Sequence, residues 1–173
     1  MNKAIIISGN LAQDHEFIYP YYRLLEEGFK VDVCLLEGKP VQGILGTKIP
    51  PNKDQAVKKI DEVSVNDYKI LVLPGGVKAM EKVRQEKKII NFISEFNKTK
   101  KIIACICSGA QLLISAKVVK GRRIAGYYSM KDDLINAGAI YTDLPAVVDV
   151  NIITTAHYKD MGPWMKEVIK KIK

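Results

Sequence analysis

The stretch KIIACICSGAQLL, Lys101 to Leu113, passes from a continuous apolar run into a helical pattern with only Ser108 and Gly109 between them. A short, Ile-rich run without polar alternation is what a strand covered on both faces requires. A strand that turns at once into a helix belongs to a parallel sheet flanked by helices. Runs of the same kind recur as KAIIIS (Lys3 to Ser8), KVDVCLLE (Lys30 to Glu37) and KILVLPGG (Lys69 to Gly76). Between and after them lie the helical patterns HEFIYPYYRLLEEG, AMEKVRQEKKIINFISEFNK, GAQLLISAKVV, SMKDDLINAG and MGPWMKEVIKKIK, the first with Gly28 as its stop. The alternation predicts a doubly wound α/β fold, a mostly parallel sheet sandwiched by helices, in one domain over residues 1–173. Pro20 inside the first helical pattern predicts a kink or a late start. Val41 to Asp61, which contains GILGTKIPPNKD, reads as a short hairpin plus loop at the sheet edge.

Composition narrows the function classes. No apolar run approaches the roughly 20 residues of a membrane span. The start MNKAIIISGN has too short an apolar part for a secretory signal, so a cytoplasmic protein without a membrane partner is expected. Lys+Arg 27 against Asp+Glu 19 gives a formal net charge of +8, which permits binding to nucleic acid. The lysines are interleaved with acids, as in EKVRQEKK and MKEVIKKIK, and no nucleic-acid-reading motif accompanies them, so the reading is a solvated basic surface. Three cysteines without a CxxC pair and two histidines argue against a structural metal or a disulfide framework; no metal and no cofactor are expected.

In an open α/β sheet, chemistry collects beyond the carboxyl ends of the strands. Three such exits carry unusual residues. In CICSGAQLL, Cys107 stands where strand turns into helix, as a nucleophile does in hydrolases with a serine at that turn, and the helix N-terminus there favours a thiolate; its pKa should fall. Cys105 within the strand and Cys34 in VDVCLLE read as small core residues. From periodicity alone, Cys107 is as readily an inert buried thiol. In LVLPGG, Gly75 and Gly76 turn tightly and offer N–H groups that, with the N–H of Ser108, would form an oxyanion hole; the bland reading is a plain Gly-Gly turn. In SGNLAQDHE, Glu16 opens a helix, where an acid commonly satisfies the dipole; beside Cys107 it would instead orient the thiol or carry a proton.

Together DHEFIYPYYRLLEEGFKV, ILVLPGG, ACICSGAQLLISAKVVKGRRIAGY and MKDDLINAGA resemble the PfpI family of intracellular proteases, in the ThiJ/PfpI superfamily of class I glutamine amidotransferase-like folds. The similarity runs from Lys3 to the helix around Trp164 and is weakest between Lys48 and Ile60. It implies that Cys107 is the reactive cysteine, that Glu16 is the glutamate contacting it, and that Gly75, Gly76 and Ser108 surround the oxyanion site. Tyr127 would line the pocket, and Glu81 in KAMEKVR would be the acid that reaches a neighbouring subunit's site. It further implies self-association as a homodimer, with hexamers built from dimers in the protease branch.

The departures bear on the reaction. The protease branch has histidine after the cysteine as the base of a Cys-His-Glu triad; here Ser108 stands there, and a serine hydroxyl is no general base near neutral pH. Gln13 replaces an acid of the family's first loop, and TTAHYKDMGPW departs from an Arg- and Pro-containing segment. His157 in that segment reads as an exposed or capping residue. His15 adjoins Glu16, but neighbours at a helix start point about 100° apart and do not both face one thiol. The expectation is a cysteine-dependent hydrolase of PfpI type, with peptides as one substrate class and small reactive aldehydes such as methylglyoxal, or their adducts, favoured over them. The alternatives are a non-catalytic oxidative-stress or redox-sensing protein using Cys107, and a fold kept as an assembly module.

Overall fold

In a computed structural model, which describes residues 2–173, the chain forms eleven strands and six α-helices. In order these are β1 (Lys3–Ser8), α1 (Asp14–Glu26), β2 (Lys30–Leu35), β3 (Val41–Gln42), β4 (Lys48–Ile49), β5 (Val57–Lys58), β6 (Ile70–Leu73), α2 (Val77–Val83) and α3 (Lys87–Lys98). Then come β7 (Ile102–Ile106), α4 (Ala110–Ser115), β8 (Arg123–Ile124), α5 (Lys131–Asn136), β9 (Ile140–Tyr141), β10 (Val147–Asp149), β11 (Ile152–Thr155) and α6 (Met161–Ile172).

The main sheet has seven strands in the order β10-β11-β7-β6-β1-β2-β5, parallel except for β10. Its centre is fully buried: Ile5, Ile6, Leu71, Val72, Ile103 and Ala104 have no exposed surface, which is why these strands are apolar on both faces. Helices α1 and α6 pack together on one side, and α2, α3 and α4 pack together on the other. Trp164 of α6 is fully buried and donates its indole N–H to the Ile153 carbonyl at 3.0 Å, tying the last helix to the sheet. The chain turns from β1 to β2 on one side and to β6, β7 and β11 on the other. The switch point of the sheet therefore lies at the ends of β1, β6 and β7, where α/β proteins bind ligands.

Three expectations change. Helix α1 begins at Asp14 and runs through Pro20; the late start fails because Gln13 caps the helix, its side-chain oxygen accepting from the His15 N–H at 2.7 Å. The long pattern after Gly76 is two helices, the second capped by the Glu86 carboxylate, which accepts from the Lys88 N–H at 3.0 Å. A fifth central strand, β11, lies beside β7 where no strand was expected. The segment after Val41 does form the hairpin β3–β4, and β5 then joins the edge of the main sheet.

A candidate active site at the end of β7

Cys107 follows the last residue of β7 with φ +58, a left-handed conformation rare for a residue with a side chain. Such a residue costs about 1–2 kcal/mol and persists only where its surroundings demand it. The demand is visible. Gly109 passes so close to the end of β6 that an added Cβ would lie 2.5 Å from the Leu73 carbonyl oxygen, and the Tyr127 N–H donates to the Cys107 carbonyl at 3.2 Å. The turn thus aims the thiol away from the core into a pocket.

Glu16 is the second member of the site. It is fully buried in the first turn of α1, with Oε2 accepting the Gly75 N–H at 2.8 Å, and its carboxylate interacts with the Cys107 thiol. The other oxygen, Oε1, has no nitrogen or oxygen partner among the described residues. The Pro74-Gly75-Gly76 turn holds this arrangement together. The Gly75 carbonyl accepts from the Gln13 N–H at 3.0 Å, and a Cβ on Gly75 would lie 2.4 Å from Glu16 Oε2 and 2.9 Å from Cys107 Cβ. Gly76, at φ +105, has the backbone of Leu11 to Gln13 closer than any side chain allows. Gly75 therefore holds the carboxylate, and its N–H is not free for an oxyanion. The N–H groups left for that role are those of Gly76, which lines the pocket, and Ser108, which faces the Cys107 sulfur.

The electrostatics correct one expectation. Burial pushes the Cys107 thiol up to about 12, the Glu16 charge adds to the rise, and the Ser108 N–H opposes it; the helix terminus does not make a free-standing thiolate. Burial likewise raises Glu16 to about 7, against the lowering effect of the Gly75 N–H. The two groups are coupled through one contact. Protonating Glu16 removes the like charge and turns its O–H into a donor toward sulfur, so the acid form of Glu16 favours ionisation of the thiol and the carboxylate form opposes it. Cys105 and Cys34 are sealed in the core, both fully buried and both raised by burial, Cys34 to about 12.

The pocket at the thiol has a volume of about 300 Å³ and a largely apolar wall that includes Ile44, Val77, Tyr127 and Tyr158. His157 also lines it, through the exit of β11. Its Nδ1 accepts from the Lys159 N–H at 3.2 Å, so the ring is the capping histidine the sequence suggested, and it faces the site as well. The ring lies against Tyr158, centroids 4.0 Å apart, with Tyr127 at 6.2 Å. His15 is exposed and is not part of the pocket wall; it stands 5.6 Å from the Tyr158 ring. Glu81 is exposed on α2 and lines a second, adjoining cavity. The hairpin supplies Ile44, and Asp14 fixes that hairpin by accepting the Leu45 and Thr47 N–H groups at 2.7 and 2.9 Å. Neither Asp14 nor Ile44 stood out in the sequence, since their role depends on a long-range contact.

A strand-to-helix turn carrying Cys107 at the switch point of a mostly parallel α/β sheet, backed by the buried Glu16, defines the class of the protein by fold and site geometry. The chain belongs to the DJ-1/PfpI family, whose family model matches residues 2–171. It is 38% identical to "Deglycase PfpI" of Pyrococcus furiosus, over 99% of each chain. It is 33% identical to "Putative cysteine protease YraA" of Bacillus subtilis, over 99% of this chain and 98% of that one. Among solved structures, a two-domain protein of Anabaena variabilis containing DJ-1/ThiJ/PfpI-like and ferritin-like domains superposes with a TM-score of 0.91 at 28% identity; the match covers 99% of this chain and 48% of that one. No helix among the described residues is long and apolar enough to cross a membrane, and no three potential metal ligands converge among them.

Proposed function

We propose that the protein is a cysteine-dependent enzyme acting on small reactive aldehydes such as methylglyoxal, or on their early adducts with amines and thiols. The observation that carries this reading is the pairing of Cys107, held at φ +58 in the mouth of a 300 Å³ apolar pocket, with a buried Glu16 poised near neutrality. The relatives named deglycase support the same class of chemistry.

In the first step the thiolate adds to the aldehyde carbon, forming a C–S bond while the carbonyl electron pair moves to oxygen and takes the Glu16 proton. The N–H groups of Gly76 and Ser108 stabilise the developing oxyanion. Glu16, now a carboxylate, removes the proton from the carbon bearing sulfur to give an enediol as the neighbouring oxygen is protonated. It then returns a proton to the neighbouring carbon while the hydroxyl on the sulfur-bearing carbon loses its own proton and becomes the thioester carbonyl. The resulting thioester is hydrolysed by water, which regenerates the thiol and releases a 2-hydroxy acid. An amine or thiol adduct binds intact; in the pocket its C–N or C–S bond breaks, the carbinol hydroxyl becomes the aldehyde carbonyl, and the hydroxyl proton leaves with the amine or thiol, after which the thiolate attacks as above. No redox equivalent is consumed.

Peptide hydrolysis asks more of the site, because a poor amine leaving group needs a proton donor and Ser108 offers none near neutral pH. The test is a substrate profile of the purified protein. Catalytic loss of methylglyoxal, or of its thiol and amine adducts, with 2-hydroxy acid accumulating in molar excess over enzyme supports the reading. Robust cleavage of fluorogenic peptides without aldehyde turnover overturns it. A redox sensor built on Cys107 would instead be modified once per chain.

A further inference from the structure

A second cavity, about 540 Å³, adjoins the pocket of Cys107 and shares Val77, Ser108 and Tyr127 with it. Arg84 reaches this cavity from the end of α2. Its guanidinium is fixed by two neutral acceptors, Nε donating to Ser115 Oγ at 3.0 Å and Nη1 to Gln111 Oε1 at 3.3 Å. No carboxylate among the described residues pairs with it, although the side chain is partly buried and the two other partly buried arginines are matched, Arg23 by Glu27 and Arg122 by Asp149. Ser108 lines the same cavity, 1% exposed, and its hydroxyl, beside the Cys107 thiol, has no nitrogen or oxygen partner among the described residues. A positioned guanidinium fork without its anion, and a buried hydroxyl without a nitrogen or oxygen partner on the wall shared with the thiol pocket, together form an incomplete site.

We propose that Arg84 binds the carboxylate of the substrate, so that the preferred carbonyl compounds are aldehyde adducts carried by an amino acid or short peptide with a free carboxylate. The adduct carbon lies at Cys107 and the carboxylate in the adjoining cavity, with Ser108 at the junction. Glu81 and Asp133, which line the cavity too, set the charge of the ligand. The two acids repel a phosphate dianion more strongly than a single carboxylate held at the guanidinium, and can accept N–H groups of an amino acid backbone. This assignment rests on the carbonyl chemistry proposed above for the substrate's reacting end, and its carboxylate end is testable without that chemistry.

The experiment compares the methylglyoxal hemithioacetals of N-acetylcysteine and of N-acetylcysteine amide, which differ only in the carboxylate. The wild-type kcat/KM ratio should favour the acid by about tenfold or more, the scale of one charge-assisted hydrogen bond. Arg84→Gln should bring the ratio to about one, and Arg84→Lys, which keeps the charge without the fork, should leave it in between. A wild-type ratio near one, or a ratio that survives in Arg84→Gln, overturns the assignment while leaving the carbonyl chemistry standing. If neither compound is turned over, the carbonyl reading fails, and protection decides the subsite separately. N-acetylglycine should slow alkylation of wild-type Cys107 by iodoacetamide and should not slow it in Arg84→Gln; no protection of the wild type refutes the subsite.

Discussion

Replacing Glu16 by glutamine tests the site through the stability of the fold. The buried carboxyl titrates near 7 in the folded protein against an ordinary 4.5, burial being the main cause. A carboxyl raised by folding stabilises the protein fully below its unfolded value, and that contribution is lost as pH rises through the folded value. From 4.5 to about 7, at 1.36 kcal/mol per pH unit, the loss is about 3 kcal/mol. Glutamine keeps the shape, accepts the Gly75 N–H, and does not titrate. The variant should therefore match the parent near pH 4 and exceed it by about 3 kcal/mol near pH 8, other groups cancelling in the comparison. Urea unfolding of both proteins at several pH values measures this directly. A difference that is flat with pH, or a variant less stable than the parent at pH 8, would refute the claim that Glu16 is held close to neutrality by burial.

The remaining expectations follow from neighbouring contacts. Gly75→Ala places a Cβ against Glu16 Oε2, Cys107 and the Ser108 nitrogen, and should cost about 1–3 kcal/mol by thermal unfolding and about 100-fold in turnover. Asp14→Asn weakens the charge-assisted bonds to Leu45 and Thr47 and should cost about 1.5–3 kcal/mol. Burial opposes the ionisation of Asp14 but the hydrogen bonds outweigh it and hold it below its ordinary value, so its contribution is present above pH 4 and fades in stronger acid. Cys34→Ala, in the core of β2 far from the pocket wall, should lower unfolding stability by about 1 kcal/mol and leave turnover unchanged.

How far the sequence revealed this molecule depends on the range of the interactions involved. Strands β1, β2, β6 and β7 were legible because burial on both faces leaves runs such as AIII and ILVL with no polar positions. The turn at Cys107 was legible because strand, Gly109 and helix are contiguous. Strand β11 did not stand out: NIITT is short and ends in two polar threonines, unlike the continuous Ile/Val runs, yet Thr154 and Thr155 are fully buried, Thr154 accepting the Ala125 N–H at 2.8 Å. Missing β11 also hid the route by which His157 reaches the pocket. The break between α2 and α3 has no glycine or proline to mark it, only the Glu86 cap. Pro20 was read by its missing N–H, whereas the cap at Gln13 fixes where α1 begins. The direction of the Cys107 titration failed for the same reason. Proximity to a helix start is local, but burial and the Glu16 charge come from the tertiary fold.

The central claim is that Cys107 attacks a carbonyl carbon. Its most direct test is the rate at which methylglyoxal is consumed, and 2-hydroxy acid formed, by the wild type and by Cys107→Ser at equal concentration and confirmed equal folding. The account predicts multiple turnovers for the wild type and a rate for Cys107→Ser indistinguishable from the buffer blank. Equal rates in the two proteins would contradict it.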